Sequence, residues 1–302
     1  MKLDQAIELF LQEQKARGNT VKTCKDYKQY LTYFLNYCGD IDIVHIDKSK
    51  ILSYIVYLRE KPKNLGHKNK KVYNDVFVSS CTIQTYIRHL RAFFTWCYEN
   101  EYTEINLSDK FKLPKAKKEL KKILTDDEIE RIFNACKRTD ESLRNSLIIS
   151  LMLYSGLRAN EVVTLRKDSY NQENNTLIVF GKGQKERIVP IGKRTDELYK
   201  QYVKEYKTLL KNNEFLFFNI DKSPITYNAI RLMLDRIAKR SGVKRLHLHL
   251  LRHTFATNYL IKTKGDITSL KAILGHTSLK MVENYLHLAM SYSIGQYREF
   301  CE

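Results

Sequence analysis

Apolar residues recur every three or four positions along almost the whole chain. The period drops to two in one place, between residues 168 and 191. A chain patterned this way closes its cores by packing helices, with one small sheet among them. Leu3, Ile7, Phe10 and Leu11 share one face of a helix over residues 3–17, and Gly18 is placed to end it. Val21, Cys24, Leu31, Phe34 and Leu35 mark a second over 20–38, stopped by Gly39. Asp47 is a good N-cap for a third helix, which ends near Glu60 ahead of Pro62. Residues 61–79 are lysine-rich and aperiodic, which predicts a surface loop. A fourth helix over 80–99 turns Ile83, Ile87, Leu90, Phe93 and Phe94 inward. The first 105 or so residues therefore predict a small helical domain with no strand.

Residues 110–122, KFKLPKAKKELKK, are almost all lysine between a few apolar positions, with Pro114 to keep the chain extended. This predicts a basic linker and a domain boundary. Beyond it, Thr125 and Glu128 have the spacing of a capping box, opening a helix to about Cys136. The next helix, over 141–154, is apolar on much of its circumference and should be buried. It ends at Ser155-Gly156, so Arg158 emerges from a turn beside buried structure. Strands are expected over 168–170, 176–180 and 186–191, with Lys182 at the tip of the second hairpin. Helices follow over 195–211, 226–241, 249–261 and 267–274, then a shorter one from Ser278. The fold class is mainly α with a small three-stranded antiparallel sheet: a helical domain over 1–109, the linker over 110–122, and a second domain over 123–302 that ends in a tail.

Charge narrows the partners. Lys plus Arg number 52 against 34 Asp plus Glu, a formal charge of +18. Such a balance points to a polyanion, most often nucleic acid, because neutralising phosphates releases counterions. No apolar run is long enough to span a membrane, and the N-terminus has charges where a signal peptide needs an apolar core. The six cysteines show no metal-ligand spacing and read as reduced residues of a cytoplasmic protein.

Chemistry gathers in residues 249–285. His249 and Arg252 sit three apart at the start of a periodic run, His276 follows a glycine, and Tyr285 comes nine residues later. Three side chains able to bind phosphate, followed by a phenol, suggest a phosphate pocket beside a nucleophile. Taken singly, each residue has a structural explanation. Arg158 can pair with Glu161, Lys182 can be a solvated turn lysine, and Tyr285 can be a core aromatic. The hairpin is not a Walker A loop, since no GxxxxGK[ST] is present. His247, His249 and His253 lack a convincing zinc spacing. The His-hydrophobe-His of residues 247–249 also fits metal-dependent relaxases, but that would leave the arginines and the lysine unexplained.

Taken in order, Arg158 in YSGLRANEV, Lys182 in GKGQKERIVPI, His249 and Arg252 in HLLRHTFAT, His276 in LGHTSLKMVENY and then Tyr285 form one pattern. Over residues 124–290 the chain resembles the tyrosine recombinase (phage integrase) family, in its simple two-domain form. The resemblance implies a core-binding domain at the N-terminus and a catalytic domain after it. It implies a site-specific DNA recombinase that acts through a 3′-phosphotyrosyl link and a Holliday junction, as a homotetramer on paired double-stranded sites. On that resemblance Tyr285 is the nucleophile, Arg158 and Arg252 clamp the phosphate, and Lys182 is the general acid. His249 accepts the tyrosine proton, His276 donates to the phosphate, and Glu161 supports Arg158. Lys185 and Arg187 compete with Lys182 for the acid role but fit the spacing less well. No cofactor and no metal are implied. A catalytically silent DNA-binding regulator and a type IB topoisomerase are the alternatives on the same fold.

Overall fold

A computed structural model describes residues 1–63, 73–115, 122–181 and 186–275, and beyond them positions 282, 283, 285, 286, 289 and 290. The chain divides into two compact units, Met1–Glu119 and Leu120–Glu302.

The first unit is built on four helices, α1 (Leu3–Ala16), α2 (Val21–Cys38), α3 (Lys48–Glu60) and, after two short strands, α4 (Ser80–Glu99). Their starts follow the local chemistry. Thr20, Asp47 and Ser79 each accept a backbone N–H from the first turn, at 3.2, 2.8 and 3.2 Å. Their apolar stripes meet in one core around Phe10, Phe34, Ile51, Leu58, Phe93 and Phe94. The aromatic rings interlock edge to face, Phe10 on Phe93 at 5.6 Å and Phe34 on Tyr54 at 5.0 Å. Trp96 on α4 donates to Glu13 on α1 at 2.6 Å, which pins the ends of the two helices together.

Two findings correct the sequence reading of this unit. Within 61–79, β1 (Pro62–Lys63) pairs antiparallel with β2 (Tyr73–Phe77), where an aperiodic loop was expected. Val76 and Phe77 are neighbours on β2 and both exposed, so these two positions show no alternation of buried and exposed side chains that a period of two could reveal. Phe111, inside the stretch read as linker, is buried in the first unit's core, with Leu113 against it and the Pro114 carbonyl accepting from Gln84 at 2.6 Å.

The second unit opens on α5 (Asp126–Lys137), whose capping box is complete. Glu128 accepts the Thr125 N–H at 2.9 Å, and Thr125 accepts the Glu128 N–H at 3.3 Å. Next comes α6 (Ser142–Tyr154), whose Leu147, Ile148, Ile149 and Leu151 are fully buried. It is apolar on much of its circumference because it runs through the middle of the unit. A five-residue helix α7 (Ala159–Val163) follows, then a three-stranded antiparallel sheet in the order β3 (Tyr170–Asn171), β4 (Thr176–Phe180), β5 (Glu186–Pro190). The first strand starts later than expected because residues 167–169 form a 3-10 turn. The register sets Leu177 opposite Val189 and Val179 opposite Arg187. Leu177, Val179 and Val189 are buried, so Arg187 lies on the inward face.

The predicted helix over 195–211 is two helices, α8 (Lys193–Glu205) and α9 (Lys207–Lys211), which meet at Tyr206. After them come α10 (Tyr227–Ser241), capped by Thr226 and ended by left-handed Gly242, then α11 (Leu248–Lys262) and α12 (Ile267–Leu274). Leu124 donates its N–H to the Thr254 hydroxyl on α11 at 3.1 Å, tying the entry of the unit to the helix that carries Arg252. None of the described helices is long and apolar enough to cross a membrane.

Candidate active site

The site is arranged around the C-terminal end of α12. The last carbonyls of any helix lack intrahelical donors, and that end carries partial negative charge. Here three arginines from three other elements supply the donors. Arg187 of β5 donates Nε–H to the Ile273 carbonyl at 2.7 Å. Arg158 and Arg252 converge on the next one, donating to the Leu274 carbonyl at 3.2 and 2.8 Å. Gly275 then turns the chain with φ +62, and a Cβ there would sit 3.0 Å from Arg187 Cδ. Glycine meets both demands at once, the left-handed backbone and the close approach of the arginine stem.

Arg158 is the N-cap of α7, in extended conformation. Its backbone N–H is accepted by Glu161 Oε2 at 2.7 Å, and its Nη1 reaches Glu161 Oε1 at 2.9 Å. The expected ion pair with Glu161 is therefore present, and it coexists with the bond to Leu274. The Nε–Nη2 edge of Arg158 makes no hydrogen bond among the described residues, and the side chain is 36 % exposed. One fork of this guanidinium is turned towards solvent.

Arg252 is its buried counterpart, with a side chain 5 % exposed on α11. Nη1 donates to the Gly156 carbonyl at 2.5 Å while Nη2 holds Leu274. Burial pushes its pKa down to about 10, and the nearby Arg158 charge pushes the same way. Glu161 and Tyr285 oppose the shift, and the guanidinium stays charged at neutral pH. The Gly156 carbonyl reaches it because that residue has φ +67 just after the C-cap of α6.

Glu161 serves all three arginines. Besides Arg158 it takes a bidentate pair from Arg187, Nη1 to Oε1 and Nη2 to Oε2, both at 2.8 Å, and Arg252 Nη1 lies 3.9 Å from Oε2. Burial alone would raise its pKa. The Arg187 hydrogen bonds and those from the backbone and side chain of Arg158 outweigh that, and the carboxyl is held below its ordinary range.

His249 lies exposed on the first turn of α11. His253 is one turn further along the same face. Its ring meets that of Tyr285 edge to face, with centroids 4.8 Å apart. Tyr285 is helical and half-buried, packed against a cluster that includes Ala256, Leu260, Leu270 and Leu274. The structure thus brings Arg158 and Arg252 together on one carbonyl and sets Tyr285 beside the helix that carries His249, Arg252 and His253. Lys182, Lys185 and His276 lie outside the described residues, as does the tail over 291–302. Among the described residues, no group of three or more His, Cys, Asp or Glu could hold a metal ion.

Sequence reasoning missed two participants. Arg187 was weighed only as a rival for the acid, although alternation along β5 puts it on the same inward face as Val189. His253 was weighed only as a zinc ligand, although it is four residues from His249 and so shares its helix face.

Comparison with known proteins gives the family. Residues 122–291 match the phage integrase family, and residues 3–113 match the phage integrase SAM-like domain. The tyrosine recombinase XerD of Listeria monocytogenes serotype 4b (strain F2365) is 27% identical over 94% of this chain and 94% of its own length. The tyrosine recombinase XerC of Staphylococcus aureus (strain bovine RF122 / ET3-1) is 33% identical over 67% of this chain and 69% of its own. Among solved structures, the fold is similar to the Tn1549 transposon integrase in complex with transposon right end DNA, with TM-score 0.75, 18% identity and coverage of 97% of this chain and 98% of that one. A lambda integrase dimer bound to a COC′ core site gives TM-score 0.74, 17% identity and coverage of 94% and 95%. The chain belongs to the phage integrase family and is a tyrosine recombinase.

Proposed function

We propose that this enzyme cuts and rejoins double-stranded DNA at specific sites by two transesterifications. Tyr285 attacks the scissile phosphodiester. A tyrosyl O–P bond forms as the bond to the 5′-oxygen breaks, leaving a 3′-phosphotyrosyl link and a free 5′-hydroxyl. The second step reverses this with a 5′-hydroxyl from the partner duplex, by way of a Holliday junction. One phosphoester replaces another, so no external energy source is needed.

Arg158 and Arg252 bind the non-bridging oxygens, where two planar donors stabilise the charge of the transition state. Lys182 protonates the departing 5′-oxygen, His249 takes the phenol proton, and His276 donates to the phosphate. Residues 1–109, with Phe111 and Leu113 in their core, act as the core-binding domain, the rest of the lysine-rich stretch to 122 as a basic linker and 123–302 as the catalytic domain. Four copies assemble on two paired sites, in the cytoplasm. The net charge of +18 suits such a partner.

The observation that carries this reading is the meeting of Arg158 and Arg252 on the Leu274 carbonyl, although 94 residues of sequence separate them. It gives two guanidiniums one common anchor from which to present a phosphate clamp. The test is a nicked suicide duplex built from the DNA that flanks the gene. Wild type should form a covalent adduct that survives denaturation, and Tyr285→Phe should form none. Binding without an adduct in either protein would leave a silent DNA-binding regulator. An adduct from a monomer that relaxes plasmids without recombining them would indicate topoisomerase-like strand passage. Lys182→Ala should be rescued by a 5′-phosphorothiolate leaving group, which needs no proton, and failure of that rescue would move the acid role elsewhere.

A further inference from the structure

Arg187 has no part in the proposed chemistry, yet every polar end of its side chain is committed. The fork makes two bonds of 2.8 Å to Glu161, and Nε bonds the Ile273 carbonyl at 2.7 Å. The side chain is 10 % exposed and its stem lies against Gly275. Burying a charged pair like this is costly and often adds nothing to stability over apolar packing. What it does supply is geometry. The carboxylate that Arg187 fixes is the one that holds Arg158 by its backbone and its guanidinium, and the carbonyl it fixes is next to the one shared by Arg158 and Arg252.

We infer that Arg187 is a positioning residue for the phosphate clamp. It sets Glu161, and through it the outward fork of Arg158, and it fixes the end of α12 from which the chain leads on to His276. The inference rests on the functional reading above. A lysine could keep the charge but could not make two parallel bonds to Glu161 and a third to Ile273, because its three donors sit on one nitrogen. Methionine would keep most of the stem and none of the bonds.

The groups facing Glu161 are Arg158 from α7, Arg187 from β5 and Arg252 from α11. From α12, among the described residues, the site receives only the Ile273 and Leu274 carbonyls. Without Arg187 the carboxylate would lose the one guanidinium fork that, among the described residues, makes parallel bonds to both its oxygens.

The experiment measures single-turnover adduct formation by the full-length protein on a nicked duplex carrying the sequence at which the wild-type adduct maps. Affinity for the same duplex and thermal melting are measured alongside. For Arg187→Met the expected result is a rate lower by ~10²-fold, the scale of a misplaced reacting group. DNA affinity should stay within about threefold, since positioning acts on the chemical step rather than on binding. Arg187→Lys should fall between wild type and Arg187→Met, with affinity unchanged.

A folded Arg187→Met or Arg187→Lys that forms adduct at the wild-type rate overturns the inference. So does a rate loss matched by an equal loss of affinity. If Arg187→Met does not fold, Arg187→Lys decides the matter by the same criteria. Failure of the wild type itself to form an adduct would instead count against the functional reading, so the two failures are distinguishable.

Discussion

The turn that presents the Gly156 carbonyl to Arg252 makes a sharp mechanical prediction, tested by Gly156→Ala. The backbone there has φ +67, where an L-residue costs roughly 1–2 kcal/mol. The added Cβ would lie 2.5 Å from Phe255 Cδ1, 2.7 Å from its Cε1 and 2.9 Å from Leu274 Cδ2. Relieving such contacts in a packed site costs about 1–3 kcal/mol. The half-buried Phe255 ring has somewhere to go, which favours the lower end, but Leu274 is fully buried and its movement would disturb the carbonyl that Arg158 and Arg252 share.

The sum, about 2–5 kcal/mol, should lower the melting transition of the second unit by roughly 4–20 °C. The comparison is Gly192→Ala, where φ is −77 and a Cβ would meet nothing within 4 Å. It should cost less than about 1 kcal/mol, the scale of an N-cap change. Differential scanning calorimetry of both variants reads the shifts, and adduct formation reads the geometry. If Gly156→Ala melts within about 2 °C of wild type and forms adduct normally, the turn is not a rigid support for the arginines.

Arg252→Lys keeps the charge but cannot span the Gly156 and Leu274 carbonyls, so adduct formation should fall by ~10²–10³-fold in single-turnover assays. Tyr54→Phe removes a fully buried hydroxyl that has no hydrogen-bond partner among the described residues, so urea melts should show it neutral or stabilising by ~1 kcal/mol. A clear loss would mean that the hydroxyl finds a partner in solution. Glu161 has a folded pKa below its ordinary 4.5, so its stabilising contribution is fully present above that value and is lost as pH falls through the folded pKa. The stability gap between wild type and Glu161→Gln should therefore shrink as pH is lowered from about 6 to about 3, and a constant gap would refute the pairing.

What could be read from the sequence was whatever side chains encode in one dimension. The helices with a solvent face announce themselves through the spacing of apolar residues, and Thr125 and Glu128 fix the start of α5 to the residue. β2 gave no such signal at Val76 and Phe77, neighbours that are both exposed and so show no apolar alternation. Tyr206 separates α8 from α9 with φ −96 and ψ 20, yet its N–H still bonds the Tyr202 carbonyl, so the apolar spacing runs across a bend it cannot reveal. At the site, Arg158, Arg252 and Tyr285 were legible as chemistry-bearing residues. Their common anchor was not. Ile273 and Leu274 act through carbonyl oxygens, which every residue has, so nothing in their side chains marks them.

That anchor also explains how three guanidiniums tolerate one another. Arg158, Arg187 and Arg252 share a single carboxylate, Glu161, which leaves two positive charges unmatched by any acid in these pairings. The negative end of α12 offsets part of the excess without adding a group that could be protonated away. The remainder shows in Arg252, whose pKa is pushed down to about 10 by burial and then by Arg158. An excess held this rigidly favours whichever bound species has the most negative charge. On the proposed chemistry that is the transition state, with charge building on the non-bridging oxygens, rather than the singly charged phosphodiester. A second carboxylate in place of the helix end would neutralise the arginines more completely and erase the preference. By offsetting the charge with backbone dipoles, the fold keeps the arginines together without cancelling their excess.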